Sequence, residues 1–365
     1  MEFSADRQRL DGPLALDCGR QLSQVDIAFE TYGRLSPARD NAVLLCHGLT
    51  ADQHAAGPAD PQNNRPGWWN AAIGPGKALD TDQFFIVSSN VLGSYGGSTG
   101  PASTDPDTGA RYAMTFPVVT VADMVRAQRR LAEALNLPRF HAVLGGCMGG
   151  FQVLEWLRQA PRQAGNAVII SATARTSTHN TALWSVLRRA IMSDPAWNGG
   201  NYYDGPRPDA GMGLMAAYGA LFWMSRETLE QRFGLRRTTP EPAWSFAPEF
   251  EVEQFLERIA NNAGRGLDPN ALLYLTRAID YFDLTVAEDG LAGALRGARN
   301  QVTLVSYSND WRYPASEMEE IHRTLIGIGA DSRHVTLENS FGHGGFLMAP
   351  DQIAPIVREA LGSDT

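Results

Sequence analysis

The sequence predicts an α/β protein built on a mostly parallel, doubly wound sheet with a helical insertion. Three observations carry that expectation. Short β-rich runs recur along the chain, each closed by Gly, Asn or Ser. Amphipathic helical patterns separate them, and one long stretch loses its strand signals altogether.

The runs are 42–46, 84–88, 141–144, 167–170, 302–306 and 334–337. All but the last read as near-continuous apolar strands, the pattern of a sheet covered on both faces. Thr120-Val-Ala-Asp123 has the form of a capping box with Asp in place of Glu, opening a helix with apolar Val121, Met124, Val125, Leu131 and Leu135. Further helices are expected over 151–158, 316–325 and 352–361, the last stopping at Gly362. Strands alternating with helices imply crossover connections in one sheet.

Between about residues 176 and 298 helical segments replace the strands: 182–192, 212–223, 227–233, 251–261 and 270–282, separated by Pro- and Gly-rich clusters. The expected organisation is a core of residues 1–175 and 298–365, with 176–297 inserted as a helical lid.

A chain of 365 residues has room for this or for two ordinary domains. Its 44% hydrophobic and 19% charged residues are a globular balance. The net charge of −9, without Lys/Arg clusters, argues against nucleic acid or an anionic membrane as partner. Cys18, Cys46 and Cys147 have no metal-ligand spacing, and no nicotinamide fingerprint occurs. No secretory signal or bilayer-length apolar run is visible, so a cytoplasmic protein is the default expectation.

The motif that points to chemistry is HAVLGGCMGGFQVLEW. A strand runs into Gly145-Gly146-Cys147-Met148-Gly149 and directly on into an amphipathic helix. This is the form of a nucleophile elbow, which needs small neighbours around a strained central residue and leaves its side chain at the top of the sheet. The helix N-terminus favours thiolate over thiol at that point. Free cysteines are mostly buried and inert. The register of strand, glycine frame and helix sets Cys147 apart.

In the α/β-hydrolase fold the nucleophile is followed by the acid and then the histidine. Asp310 comes just after the run 302–306, and His343 sits in a glycine-rich loop after 334–337. Asp310 would hold the imidazole, and His343 would deprotonate Cys147. The other histidines compete poorly: His141 lies within a strand, His179 and His322 in or near helices, and His334 opens a strand. His47-Gly48-Leu49 follows the run 42–46, so the amides of Leu49 and Met148 are the expected oxyanion hole. The run GSYGGSTGPAS (93–103) lacks a phosphate loop's ending and is read as shaping the cleft. Trp68 and Trp69 are read as packing residues.

LLCHGLTADQH (44–54), residues 67–103, FPVVTVADMVRAQ (116–128), LGGCMGGFQVLEW (144–156), NALLYLTRAIDYFD (270–283) and FGHGGFL (341–347) together resemble the homoserine O-acetyltransferase family over nearly the whole chain. The resemblance implies an α/β-hydrolase core, a helical lid that often mediates homodimerisation, and a ping-pong mechanism through an acyl-enzyme. It places residues 93–103 near the active site, with a bearing on acyl-group choice. It implies no cofactor beyond an acyl thioester such as acyl-CoA as cosubstrate.

Three positions depart from the family. Serine normally stands where this chain has Cys147. An aspartate that helps hold the acceptor's amino group normally stands at Gly344. An arginine for the acceptor's carboxylate normally stands in the lid, at the position that aligns with Ala216. A carboxylate buried without a cation is disfavoured. A non-amino-acid acceptor is therefore expected, in an apolar site formed by Ala216, Leu221, Phe222 and Trp223. With Cys147 the acyl-enzyme is a thioester, formed nearly isoenergetically from an acyl thioester and prone to transfer rather than hydrolysis. An esterase or thioesterase of the same fold, and a homoserine O-acetyltransferase with an altered acceptor site, are the alternatives. A non-catalytic binding protein of this fold is a third reading, opposed by the intact set of site residues.

Overall fold

The computed structural model describes residues 2–59, 66–263 and 266–362. The chain opens with β1 (Phe3–Arg9), a small hairpin of β2 (Leu14–Ala15) and β3 (Gln21–Leu22), and β4 (Asp26–Tyr32). There follow β5 (Ala42–Cys46), β6 (Phe85–Ser89), α1 (Val121–Ala134), β7 (Phe140–Gly146), α2 (Met148–Gln159) and β8 (Ala164–Ile170). The helical stretch is α3 (Thr178–Met192), α4 (Asp209–Trp223), α5 (Arg226–Arg232), α6 (Glu251–Asn262), α7 (Pro269–Asp280) and the short α8 (Gly290–Ala294). The chain then returns through β9 (Gln301–Tyr307), α9 (Ala315–Gly327), β10 (Asp331–Leu337), α10 (Gly345–Met348) and α11 (Pro350–Leu361).

Eight strands form one sheet in the order β1-β4-β6-β5-β7-β8-β9-β10. β1 pairs antiparallel with β4, and β4 antiparallel with β6; the remaining pairs are parallel. The order reverses direction around β5 and β7, the arrangement that opens a crevice at the strands' C-terminal ends. β5 is buried along its whole length, whereas the edge strand β10 is half-exposed. That burial difference is why the first five runs are continuously apolar and the last is not.

The sequence reading missed β1 to β4, whose residues mix charge with apolar side chains. Asp26 and Glu30 interrupt β4, yet both are buried among partners: Arg9 grips Asp26 at 2.6 Å, and His54 meets Glu30 at 3.0 Å. The α1 capping box forms as read, with the Thr120 side chain accepting from the Asp123 amide and the Asp123 carboxylate accepting from the Thr120 amide.

The helical stretch does not stand apart from the sheet. Leu272, Leu275, Ala278 and Ile279 of α7 belong to the same apolar core as α2, and Phe282 stacks on Phe151 with ring centroids 4.5 Å apart. Beneath the elbow, Gln128 bridges Gln152 at 2.8 Å and accepts from the Trp156 indole at 2.9 Å, so the polar groups that pack α1 against α2 are satisfied.

Candidate active site

β7 leaves the sheet at Gly146 and α2 begins at Met148, so Cys147 alone makes the turn, at φ 58° and ψ −126°. A non-glycine residue held there is strained by about 1–3 kcal/mol and persists only where its surroundings fix it. They do. A Cβ on Gly149 would lie 2.1 Å from the Cys46 carbonyl oxygen, and one on Gly145 would lie 2.6 Å from the Gly149 backbone. The glycines let β5, β7 and α2 meet closely enough to force the turn.

Asp310 follows β9 and His343 follows β10, each past the C-terminal end of its strand. His343 Nδ1 lies 2.9 Å from Asp310 Oδ2, and both residues are buried. Asp310 Oδ1 accepts the amides of Arg312 and Tyr313, both at 3.0 Å, which fixes the carboxylate's orientation. With Nδ1 facing the carboxylate, Nε2 is left to face the thiol across the same cavity wall.

The electrostatics follow from these contacts. Burial pushes the Cys147 thiol up, but the Arg312 guanidinium and then His343 outweigh it and bring the thiol well below its ordinary value. Burial pushes His343 down, but Asp310 and the Cys147 sulfur raise it above the usual imidazole range. Asp310 is lowered despite its burial, chiefly by His343. All three shifts favour a thiolate–imidazolium pair with an ionised aspartate.

The loop after β5 is tied down in layers. His47 Nε2 accepts the Val91 amide at 3.1 Å, so Nδ1 carries the proton and donates to the Gly48 carbonyl at 2.8 Å. Burial lowers the His47 pKa and keeps the ring neutral. Gln152 donates to the His47 carbonyl at 3.1 Å. Farther along, the Tyr32 hydroxyl accepts the amides of Ala55 and Ala56, while His54 bridges Glu30 and the Pro58 carbonyl.

A cavity of about 380 Å³ opens above the elbow, with Cys147, His343, Arg312, Trp68, Trp184 and Trp223 in its wall. Leu49 and Ala216 also line it. Met148 is buried and opens α2 directly after Cys147.

Several expected positions lie elsewhere. On α4, residues 216, 219, 220 and 223 share the face toward the cavity, as a helical period requires. Leu221 therefore points into a neighbouring depression beside Trp311, and Phe222 packs on Trp311 at 4.8 Å. Gly344 is not part of the wall; it is buried under Trp223, whose indole takes the room a side chain would need. The loop 93–103 lines a separate depression with Arg7, Arg9 and Asp26, and it braces the 49–54 loop, the Gly96 carbonyl accepting from Gln53 at 2.7 Å and the Tyr95 hydroxyl donating at 3.2 Å to the carbonyl of Ala51, itself a cavity residue. Trp69 is a core residue, but Trp68 faces the cavity.

Arg312 overturns the expectation of a site without a cation. It is 8% exposed, sits 4.4 Å over the Trp184 ring and faces the same cavity as Cys147. Its sequence signal was an arginine two residues beyond the catalytic-position acid, between Trp311 and Tyr313. Trp184 carried no signal beyond an apolar helix face.

Among the described residues no group of three or more His, Cys, Asp and Glu is placed to hold a metal, and no helix is long and apolar enough to cross a membrane.

A cysteine on a strained strand-to-helix turn, followed in chain order by an acid and a histidine from later strands, is the arrangement of the α/β-hydrolase class. Residues 41–322 match the family model described as alpha/beta hydrolase fold. The homoserine O-succinyltransferase of Nocardioides sp. is 42% identical over 353 residues, covering 96% of this chain and 95% of that one. The crystal structure of homoserine O-acetyltransferase from Bacillus anthracis superposes with a TM-score of 0.90 at 26% identity, over 99% and 98% of the two chains. That of esterase E22 superposes with a TM-score of 0.87 at 27% identity, over 98% and 100%. Within that fold class, the chain belongs to the homoserine O-acetyltransferase and O-succinyltransferase family.

Proposed function

We propose that this protein is an acyltransferase that carries its acyl group as a thioester on Cys147, taken from an acyl thioester such as acyl-CoA and passed to an acceptor that is not an amino acid. The observation that carries this reading is the Cys147 thiol on its strained turn, sharing the wall of a mostly apolar cavity with an imidazole that Asp310 orients.

In the first half-reaction the Cys147 thiolate attacks the donor carbonyl. The resulting oxyanion is received by the Leu49 and Met148 amides. The donor's carbon–sulfur bond breaks, and the leaving thiolate takes the proton from His343 Nε2. In the second, His343 accepts the acceptor's proton, the acceptor attacks the thioester carbonyl, and Cys147 leaves as thiolate. A thioester reacts with water slowly enough to await an acceptor, which favours transfer.

The acceptor side is drawn by two absences and one obstruction. No carboxylate stands at position 344 or arginine at 216 to grip a zwitterion, and Trp223 fills the space that a side chain at 344 would take. Incubation with acetyl- or succinyl-CoA is expected to add one acyl mass to Cys147 that persists in buffer and disappears when a primary alcohol is supplied. Fast turnover in water alone would instead mark an esterase, the activity named for esterase E22.

We also propose that the helical stretch pairs two copies of the chain. Leu214 and Tyr218 are 64% and 39% exposed on α4, and Leu235, Trp244 and Phe246 are exposed nearby in sequence. L214E is expected to raise the monomer fraction in sedimentation velocity. A wild-type protein that sediments as a monomer at micromolar concentration would rule the pairing out.

A further inference from the structure

Arg312 is the one cavity residue whose charge the covalent chemistry above leaves without a role. Its Nε and Nη2 are buried and have no hydrogen-bond partner. Those two atoms form the side-on edge of the guanidinium, the edge that meets a carboxylate with two parallel N–H donors. A buried cation left unpaired is costly, so an anion is needed.

The nearest acid does not supply it. Asp310 spends Oδ2 on His343 and Oδ1 on two backbone amides. Tyr313 lies beside the guanidinium, 5.3 Å from ring centroid to Cζ, but burial pushes its hydroxyl far up and keeps it neutral, so it brings no counter-charge. Trp184 stacks over it at 4.4 Å and offers a π-face but no formal charge. The remaining anion facing Arg312 in this cavity is the Cys147 sulfur.

That anion exists for only part of the cycle. Thiolate attack forms the new carbon–sulfur bond, the donor's carbon–sulfur bond breaks, and the departing thiolate leaves with the His343 proton. Cys147 is then a neutral thioester and His343 a neutral imidazole. The thiolate and the imidazolium are neutralised together, and Arg312 keeps its charge but no longer faces an anionic sulfur.

We propose that Arg312 is paired in turn with the Cys147 thiolate in the free enzyme and with a substrate carboxylate in the acyl-enzyme, so that acylation itself opens an anion site. The inference rests on the Cys147 acyl-enzyme proposed above. It assigns the substrate class, a carboxylate, and ties the cysteine to the arginine: a serine hydroxyl is neutral at rest and has no counter-charge to hand over. The carboxylate arrives either at the far end of a dicarboxylic acyl chain or on the acceptor.

Succinate, used as a free probe, tests the exchange without turnover. Calorimetry at pH 7 is expected to show succinate binding at least about tenfold more tightly to C147A than to the wild type, because the competing thiolate is gone. R312Q in the C147A background is expected to abolish that binding, and R312K, which keeps charge but not the fork, to weaken it. Equal affinity in wild type and C147A overturns the proposal, and that comparison needs no change at Arg312.

Single-turnover ratios separate the two sources, since a ratio cancels any general loss of thiolate reactivity. A fall of about tenfold or more in the succinyl-CoA to acetyl-CoA acylation ratio in R312Q places the carboxylate on the acyl chain. The same fall in the ratio of 4-hydroxybutanoate to 1-butanol as acceptor for the acetyl-enzyme places it on the acceptor. If both ratios are unmoved in a folded R312Q, Arg312 does not bind substrate and the proposal fails. Absence of any acyl mass on Cys147 would instead defeat the acyl-enzyme reading, leaving the succinate result to stand by itself.

Discussion

C147A is expected to lose acyl transfer by on the order of 10⁴–10⁶-fold, the scale seen when a triad nucleophile is removed, with a stability change of only about 1 kcal/mol for a small buried side chain. The reaction's pH dependence tests the same group in the intact protein. The Cys147 thiol is brought down to about 6 by Arg312 and His343 against its burial, and His343 is raised to about 9 by Asp310 and Cys147. A lowered thiol is reactive above its pKa, so Cys147 acylation at limiting donor should rise as pH climbs through about 6. A raised imidazole keeps its proton until a higher pH, so protonation of the leaving thiolate should fail as pH passes about 9. The expected profile is a bell with a broad top between those limits. D310N removes the largest contribution that raises His343, and should draw the basic limb downward while moving the acidic limb little. A wild-type rate still climbing between pH 8 and 9, as an unperturbed thiol would give, would refute the ion pair.

The elbow and its partners were legible because the chemistry constrains local sequence. Gly145 and Gly149 are required by backbone atoms within 2.1–2.6 Å of any added Cβ, and such positions leave a pattern anyone can read along the chain. The parallel strands were legible for a different reason: double-sided burial makes them continuously apolar. β4 was not, because Asp26 and Glu30 are satisfied by Arg9 and His54, residues 17 and 24 positions away. Arg312 escaped for a related reason. A charged side chain two residues past an acid looks like loop polarity, and its burial against Trp184 depends on α3, which packs from more than a hundred residues away. Leu221 and Phe222 were misplaced because apolarity was read without helical phase, which turns them off the face shared by Ala216 and Trp223.

The second large effect concerns Gly344. Restoring the family's aspartate with G344D is expected to yield no activity with homoserine, and to destabilise the protein by about 1–3 kcal/mol, the usual cost of forcing atoms into a filled space. A Cβ at 344 would lie 2.7–2.8 Å from three atoms of the Trp223 indole, closer than packed carbons approach. The contacts are with the far edge of the indole, so relief requires Trp223 to swing within the cavity or α4 to move away from the His343 turn. W223A removes the obstruction, and G344D/W223A should therefore be more stable than the sum of its single changes predicts, a coupling a double-mutant cycle reads directly. Adding A216R then supplies a second cation beside Arg312, on the cavity face of α4, and this triple variant is expected to prefer homoserine to 4-hydroxybutanoate. If G344D alone is as stable as the parent, Trp223 and Gly344 are not interlocked. In that case the glycine reflects no steric exchange with the lid. If the coupling is found, the glycine at 344 and the tryptophan at 223 act as one feature of the acceptor site. Either substitution then has to be read through the other.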